Sequence, residues 1–137
     1  MKVQTIYVNL PVTDIEKTRA FWTNLGFKFN ENFCDENTLA LELNQGTIYA
    51  MLLKKDKFST FTDRPIADKS TTQVLIAIQV ESKEKVLELV KLAQDNGGTR
   101  YKEPADHGWM YYDTFADLDG HQWELMFADM SKMENEK

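Results

Sequence analysis

The stretch Thr5-Ile6-Tyr7-Val8-Asn9-Leu10-Pro11-Val12-Thr13-Asp14, running on into Ala20-Phe21-Trp22 and Leu25-Gly26-Phe27, carries the first evidence of architecture. Thr5 to Leu10 is short, apolar and β-branched, and reads as a strand that stops at Pro11, which lacks the amide a central strand would need. Thr13 and Glu16 have the spacing of a capping box. Ile15, Trp22 and Leu25 recur at helical intervals, and Gly26 stands where a C-terminal glycine belongs. The spacing predicts a helix over about 14–25.

Outward from this strand and helix, three more strands are expected: Phe27 to Asn32, Thr38 to Leu43 with Leu39, Leu41 and Leu43 alternating, and Thr47 to Leu53 after the Asn44-Gln45-Gly46 turn. That completes a βαβββ unit. Lys54 to Ser70 is polar, contains Arg64-Pro65 and has no clear period, so it reads as a linker or lid with at most a short helical turn. The order then begins again. An apolar strand from Gln73 to Val80 precedes a helix near 83–95, whose Val86, Leu89, Val90 and Ala93 form one stripe ending at Gly97-Gly98. An irregular segment with Pro104 and His107-Gly108 leads to strands at Met110 to Phe115 and His121 to Phe127, joined by a Leu118-Asp119-Gly120 turn. The divisions are module one at 4–53, the linker or lid at 54–70, module two at 71–128 and a charged tail at 129–137, expected to fray from Ser131 onward. Tyr7-Val8-Asn9-Leu10 lies over Leu75-Ile76-Ala77-Ile78, and Gly46 to Leu52 over Gly120 to Met126, so the second half repeats the first in pattern.

With 137 residues, 42% of them hydrophobic and 28% charged, the chain can bury a core without disulfides or metal staples. Cys34 is the single cysteine, which points to a reducing compartment. The first ten residues lack the features of a signal peptide, and no window has the apolar length of a membrane span, so a cytoplasmic protein is expected. A net charge of -6, with lysines scattered among acids, argues against nucleic acid as a partner. There is no G-x-S-x-G elbow, phosphate-binding glycine loop or dinucleotide fingerprint, which sets hydrolase and nucleotide readings aside.

The opening Tyr7-Val8-Asn9-Leu10-Pro11-Val12-Thr13-Asp14 with Lys17, Ala20-Phe21-Trp22 and Leu25-Gly26-Phe27 resembles the start of vicinal-oxygen-chelate proteins, the glyoxalase, bleomycin-resistance and extradiol-dioxygenase group. Asp117-Leu118-Asp119-Gly120-His121-Gln122-Trp123-Glu124 resembles their closing motif. Asp106-His107-Gly108-Trp109-Met110 and Met51-Leu52-Leu53 are similar to the lactoylglutathione-lyase-related subgroup. The resemblance implies an α+β fold of two βαβββ modules forming a U-shaped mixed sheet around a cavity, commonly a homodimer, with four metal ligands on inward strand positions. It does not imply one reaction, since the superfamily's chemistries are diverse.

Alternation along the last strand puts Trp123, Leu125 and Phe127 on one face and Gln122, Glu124 and Met126 on the other. If the aromatic face packs under the helices, Glu124 turns inward, where the family's enzymes carry a carboxylate ligand. Asn9 falls at the family's first ligand position. The repeat register sets Ala50 against Glu124 and Ala77 against Asn9, and alanine has no donor atom, so half of the ligand set is expected to be missing. The cofactor expectation is therefore none, or a weakly bound divalent metal on Glu124 and Asn9.

Glu124 reads either as a general base or cation ligand, or as a structural acid bonded to backbone or a nearby tyrosine. His107 is an acid or base at a cavity mouth, or a surface hydrogen-bonding residue. Asn9 is a ligand contact or a clip at a strand end. Tyr7, Tyr49, Trp109 and Tyr111 are the candidate ligand-binding aromatics, with Phe58, Phe61 and Tyr112 also available to line a cavity. Three functions compete: a small-molecule binder with an incomplete metal site in the inter-module cavity, a metal-dependent glyoxalase-type lyase, isomerase or dioxygenase, and a dimeric interaction protein with a vestigial cavity.

Overall fold

The computed structural model describes residues 1–133 and divides into two compact units, Met1–Asp68 and a second from Lys69 onward. Each is a four-stranded mixed sheet with one long helix on one face, the second repeating the first. Among the described residues no helix is long and apolar enough to cross a membrane.

In module one, β1 (Ile6–Val12) runs parallel to β4 (Ile48–Lys54), β4 pairs antiparallel with β3 (Thr38–Asn44), and β3 with the two-residue β2 (Lys28–Phe29), giving the order β1-β4-β3-β2. Helix α1 (Ile15–Asn24) joins β1 to β2. Three expectations are corrected here. Strand β1 does not stop at Pro11 but pairs as far as Val12 with Lys54. A sheet edge tolerates proline, because only one side of an edge strand must supply ladder amides. The helix cap is Asp14, not Thr13: its Oδ1 accepts from the Lys17 N–H at 3.0 Å, and a carboxylate also suits the positive end of the helix dipole. The strand expected over 27–32 shortens to β2, because the Asn30 side chain accepts from the Asn32 N–H and starts a 3-10 turn at Glu31–Phe33.

Phe21, Trp22 and Leu25 of and beside α1 are buried with Leu10, Val12, Leu39, Leu41, Ala50 and Leu52. Trp22 meets Phe21 and Phe27 edge to face at 5.3 and 5.1 Å. The segment expected as a linker opens with α2 (Lys55–Phe58) and a 3-10 turn at Ser59–Phe61, and α2 packs on β1 and β4. Its first half thus belongs to module one.

In module two, β5 (Leu75–Gln79) runs parallel to β8 (Gln122–Ala128), and β7 (Met110–Ala116) is antiparallel to β8. Helix α3 (Lys83–Asp95) has the expected span and is capped by Ser82, whose Oγ accepts from the Lys85 N–H. Its stripe of Val86, Leu89, Val90 and Ala93 is buried, as are Phe115, Trp123 and Leu125 of the strands on which it packs. Ala105–Asp106, expected to be irregular, forms β6 against Tyr111 and Tyr112, giving the order β5-β8-β7-β6. Gly108, at φ 81°, turns this hairpin. The tail starts as a helical turn, α4 (Met130–Met133), and residues 134–137 of the expected charged tail lie outside the described residues.

Candidate functional site

Alternation divides the module-one sheet into two faces. Val8, Leu10 and Val12 of β1, with Ala50 and Leu52 of β4, form the helix-covered face. Tyr7 and Asn9 with Met51 and Leu53 form the other, where they line a cavity of about 530 Å³. Its remaining walls come from Asn32 to Asp35 after β2, Thr38 at the start of β3, and Lys57 and Phe61 from α2 and the turn behind it. The Tyr7 and Tyr49 rings stack at 5.4 Å with 10° between their planes, and Phe33 meets Tyr49 edge-on at 6.4 Å. The Tyr49 hydroxyl accepts from the Gly46 N–H, which fixes that ring beneath Tyr7.

One end of the cavity is charged. The Lys57 ammonium donates to the hydroxyl of the buried Thr38 and lies 3.5 Å from the Asp35 carboxylate. Asp35 accepts from the Asn37 N–H at 2.8 Å, and that bond leads the effects that hold its carboxyl below the ordinary range. Cys34, a free thiol, donates to the Asn30 carbonyl and accepts from the Ala40 N–H.

The pairing also corrects the repeat register. Glu124 pairs with Ala77 in module two, whereas Asn9, the counterpart of Ala77, pairs with Met51 and not Ala50. Ala50 is wholly buried on the helix-covered face. The glycine-anchored overlay is one residue out because Gly46 lies three residues before Tyr49, which pairs with Tyr7, whereas Gly120 lies two residues before Gln122, which pairs with Leu75. A one-residue slip exchanges the two faces of a strand. Module one therefore offers a thioether opposite Asn9 where a carboxylate or imidazole would be needed. Among the described residues no group of three or more His, Cys, Asp or Glu could hold a metal. An amide beside a thioether, and a lone carboxylate opposite an alanine, do not match the hard or borderline donor set of a catalytic divalent ion.

In module two Glu124 lies near Tyr101 and Tyr112. Burial pushes the Tyr101 phenol up to about 12 and raises that of Tyr112, with the Glu124 charge adding to both. His107 is exposed in the β6–β7 hairpin, and its backbone N–H donates to the Met110 carbonyl. Neighbouring Asp106 accepts from the Gly108 N–H and forms an ion pair with Lys83, whose ammonium sits 4.7 Å from the Tyr111 ring centre. The Trp109 carbonyl accepts from the Asp129 N–H at 2.7 Å. The sequence candidates thus fall into a cavity group (Tyr7 and Asn9, with Tyr49 stacked behind), a Glu124–tyrosine group, and a hairpin group of His107, Trp109 and Tyr111.

Phe33, Thr38, Asp35 and Lys57 of the cavity wall were not legible in advance. Phe33, Asp35 and Lys57 come from a 3-10 turn, a loop and a one-turn helix without periodicity, and Lys57 meets Thr38 at the start of β3 because α2 packs on β1 and β4.

A family model described as the glyoxalase/bleomycin resistance protein/dioxygenase superfamily matches residues 5–125. No curated protein matches the chain. Among solved structures, a hypothetical protein of S. aureus is 27% identical, with a TM-score of 0.77 over 93% of this chain and 96% of that one. A glyoxalase/bleomycin resistance protein/dioxygenase family enzyme of Burkholderia phytofirmans is 21% identical, with a TM-score of 0.71 over 89% and 96%. The fosfomycin resistance protein FosX of Listeria monocytogenes is 21% identical, with a TM-score of 0.64 over 96% and 98%. The last two likenesses speak to the fold. With nearly its whole length matched by one family model and its two halves built as repeated mixed-sheet modules, the chain belongs to the glyoxalase/bleomycin resistance protein/dioxygenase superfamily.

Proposed function

We propose that this protein binds a small organic molecule in the module-one cavity and does so without a resident catalytic metal. The observation that carries the reading is the distribution of aromatic side chains. Of all those in the described residues, only Tyr7, Phe33 and Phe61 are exposed, and all three line this cavity. Exposed rings are costly to leave in water, and their convergence on one concavity of ligand-sized volume is what a binding site looks like. The donor sets around Asn9 and Glu124 support binding over metal chemistry, because neither supplies the several N or O ligands a divalent ion requires. Glu124 is read as a structural acid beside Tyr101 and Tyr112. The free thiol of Cys34 fits a cytosolic setting, and the homodimer implied by the family is part of the same proposal.

The test is a thermal-shift screen of the purified chain against a fragment library and, separately, against zinc, nickel, manganese and iron(II). Fragments are expected to raise the melting temperature of the native chain but not of a Tyr7→Ala/Phe61→Ala variant, and the metals to leave it within about 1 °C. Stabilisation by a metal that is lost in Glu124→Ala, with no fragment hits, would overturn this reading in favour of a metal-binding site at Glu124.

A further inference from the structure

The charged end of the cavity specifies its ligand more narrowly. We propose that the site takes a small aryl carboxylate, its ring against Tyr7, Phe33 and Phe61 and its carboxylate on the Lys57 ammonium. This rests on the reading of the cavity as a small-molecule site and adds the ligand's charge to it.

Two opposite charges face the cavity, and their environments decide between them. Lys57 reaches back over the sheet to donate to Thr38, a hydroxyl that is itself only 2% exposed, so the ammonium is anchored at the floor. Asp35 lies on the rim with its side chain 53% exposed, against 34% for Lys57, and is held by the Asn37 N–H and by the Thr38 side chain. An incoming carboxylate can therefore displace Asp35 from Lys57 and leave Asp35 solvated and still hydrogen-bonded. An incoming cation that took Asp35 would have to sit beside the Lys57 ammonium, which its Thr38 bond keeps in the same pocket as a like charge. Lysine carries three N–H donors, of which Thr38 takes one, and the 3.5 Å approach to Asp35 is longer than a good charge-assisted hydrogen bond. Next to this anchor the wall turns apolar through Met51, Leu53 and the exposed rings, which suits a flat hydrophobic body attached to one anionic head.

The experiment is isothermal titration calorimetry of the full chain with three isosteric probes: 3-phenylpropionate, 3-phenylpropionamide and 3-phenylpropylamine. The acid is expected to bind at least about tenfold more tightly than the amide, the discrimination typical of one charge-assisted hydrogen bond. In Lys57→Met, which keeps the aliphatic stem, acid and amide are expected to come within about threefold of each other, and Lys57→Arg to restore the preference. Circular dichroism of each variant establishes that it is folded before titration. Equal binding of acid and amide by the native chain would overturn the carboxylate assignment while leaving the small-molecule reading intact. Tightest binding by the amine would overturn it in favour of Asp35 as the anchor. Binding of none of the three, alongside fragment hits from the thermal-shift screen, would also refute the aryl acid and nothing broader.

Discussion

Replacing Asp117 with Ala is expected to destabilise the protein by about 4 kcal/mol, as large an effect as any single core truncation, although Asp117 touches no proposed ligand. Its Oδ1 accepts from the backbone N–H groups of Asp119 and His121, both at 3.0 Å, and its Oδ2 accepts from the Trp123 indole N–H at 3.0 Å. The β7–β8 turn is therefore tied at one carboxylate to the ring that fills the module-two core. Burial raises the carboxyl's pKa, and His121 and the N–H donors pull against that rise. Removing the side chain takes the carboxylate acceptor from three N–H donors, two in buried bonds and one in a part-buried bond, at about 1–3 kcal/mol for each buried loss before relaxation. Chemical denaturation should show the loss as a lower midpoint, with Asp117→Asn recovering part of it through its remaining carbonyl oxygen. A midpoint unchanged in Asp117→Ala would mean that water replaces the carboxylate and that the clamp is incidental.

Arg100→Ala is expected to cost about 3 kcal/mol. Asp113 is fully buried at the centre of β7 and is met by Arg100 through two bonds, Nε to Oδ1 at 2.9 Å and Nη2 to Oδ2 at 2.5 Å, while the Thr114 N–H also donates to Oδ1. Breaking a buried pair from one side strands the other charge, whereas replacing both partners by apolar groups can be nearly neutral. Because the Arg100 side chain is one-third exposed, water can reach part of the gap, and the figure is set at the low end of the range for buried pairs. The double variant Arg100→Met/Asp113→Leu should therefore be more stable than Arg100→Ala, and a double-mutant cycle with urea midpoints measures the coupling. A double variant less stable than either single one would show that the pair holds β7 by more than its charges.

These two devices also explain which parts of the architecture could be read from the sequence. The Asp117 to Glu124 motif is specific for the fold because Asp117, Asp119, Gly120, His121 and Trp123 build one turn and its clamp. Of that stretch, Gln122 and Glu124 alternate to the opposite face, and only Glu124 is ionisable, which is why the motif says much about the fold and little about a reaction. The helices were legible because α1 and α3 bury 3.6-residue stripes, and α3 has the expected span. The spacing from the turn glycine to the paired strand differs between the two modules and has no sequence signature of that kind, so the glycine-based overlay placed Ala50 on the wrong face and concealed Met51 as the neighbour of Asn9. Short elements such as β2, β6 and α2 carry no period at all. Asn9 and Tyr7 were found by alternation along β1, while Lys57 and Phe33 depend on where loops fold back, which local pattern does not encode.

Ligand binding in the module-one cavity is read most directly from a methyl spectrum of the chain labelled at the methionine ε-methyl groups, titrated with 3-phenylpropionate. Met51 is the methionine in the cavity wall among the described residues, and its signal is assigned by its loss in Met51→Leu. Saturable movement of that one signal, with the other methionines unmoved, is the predicted result. A Met51 signal that stays in place while another methionine shifts would put the ligand elsewhere and contradict the account.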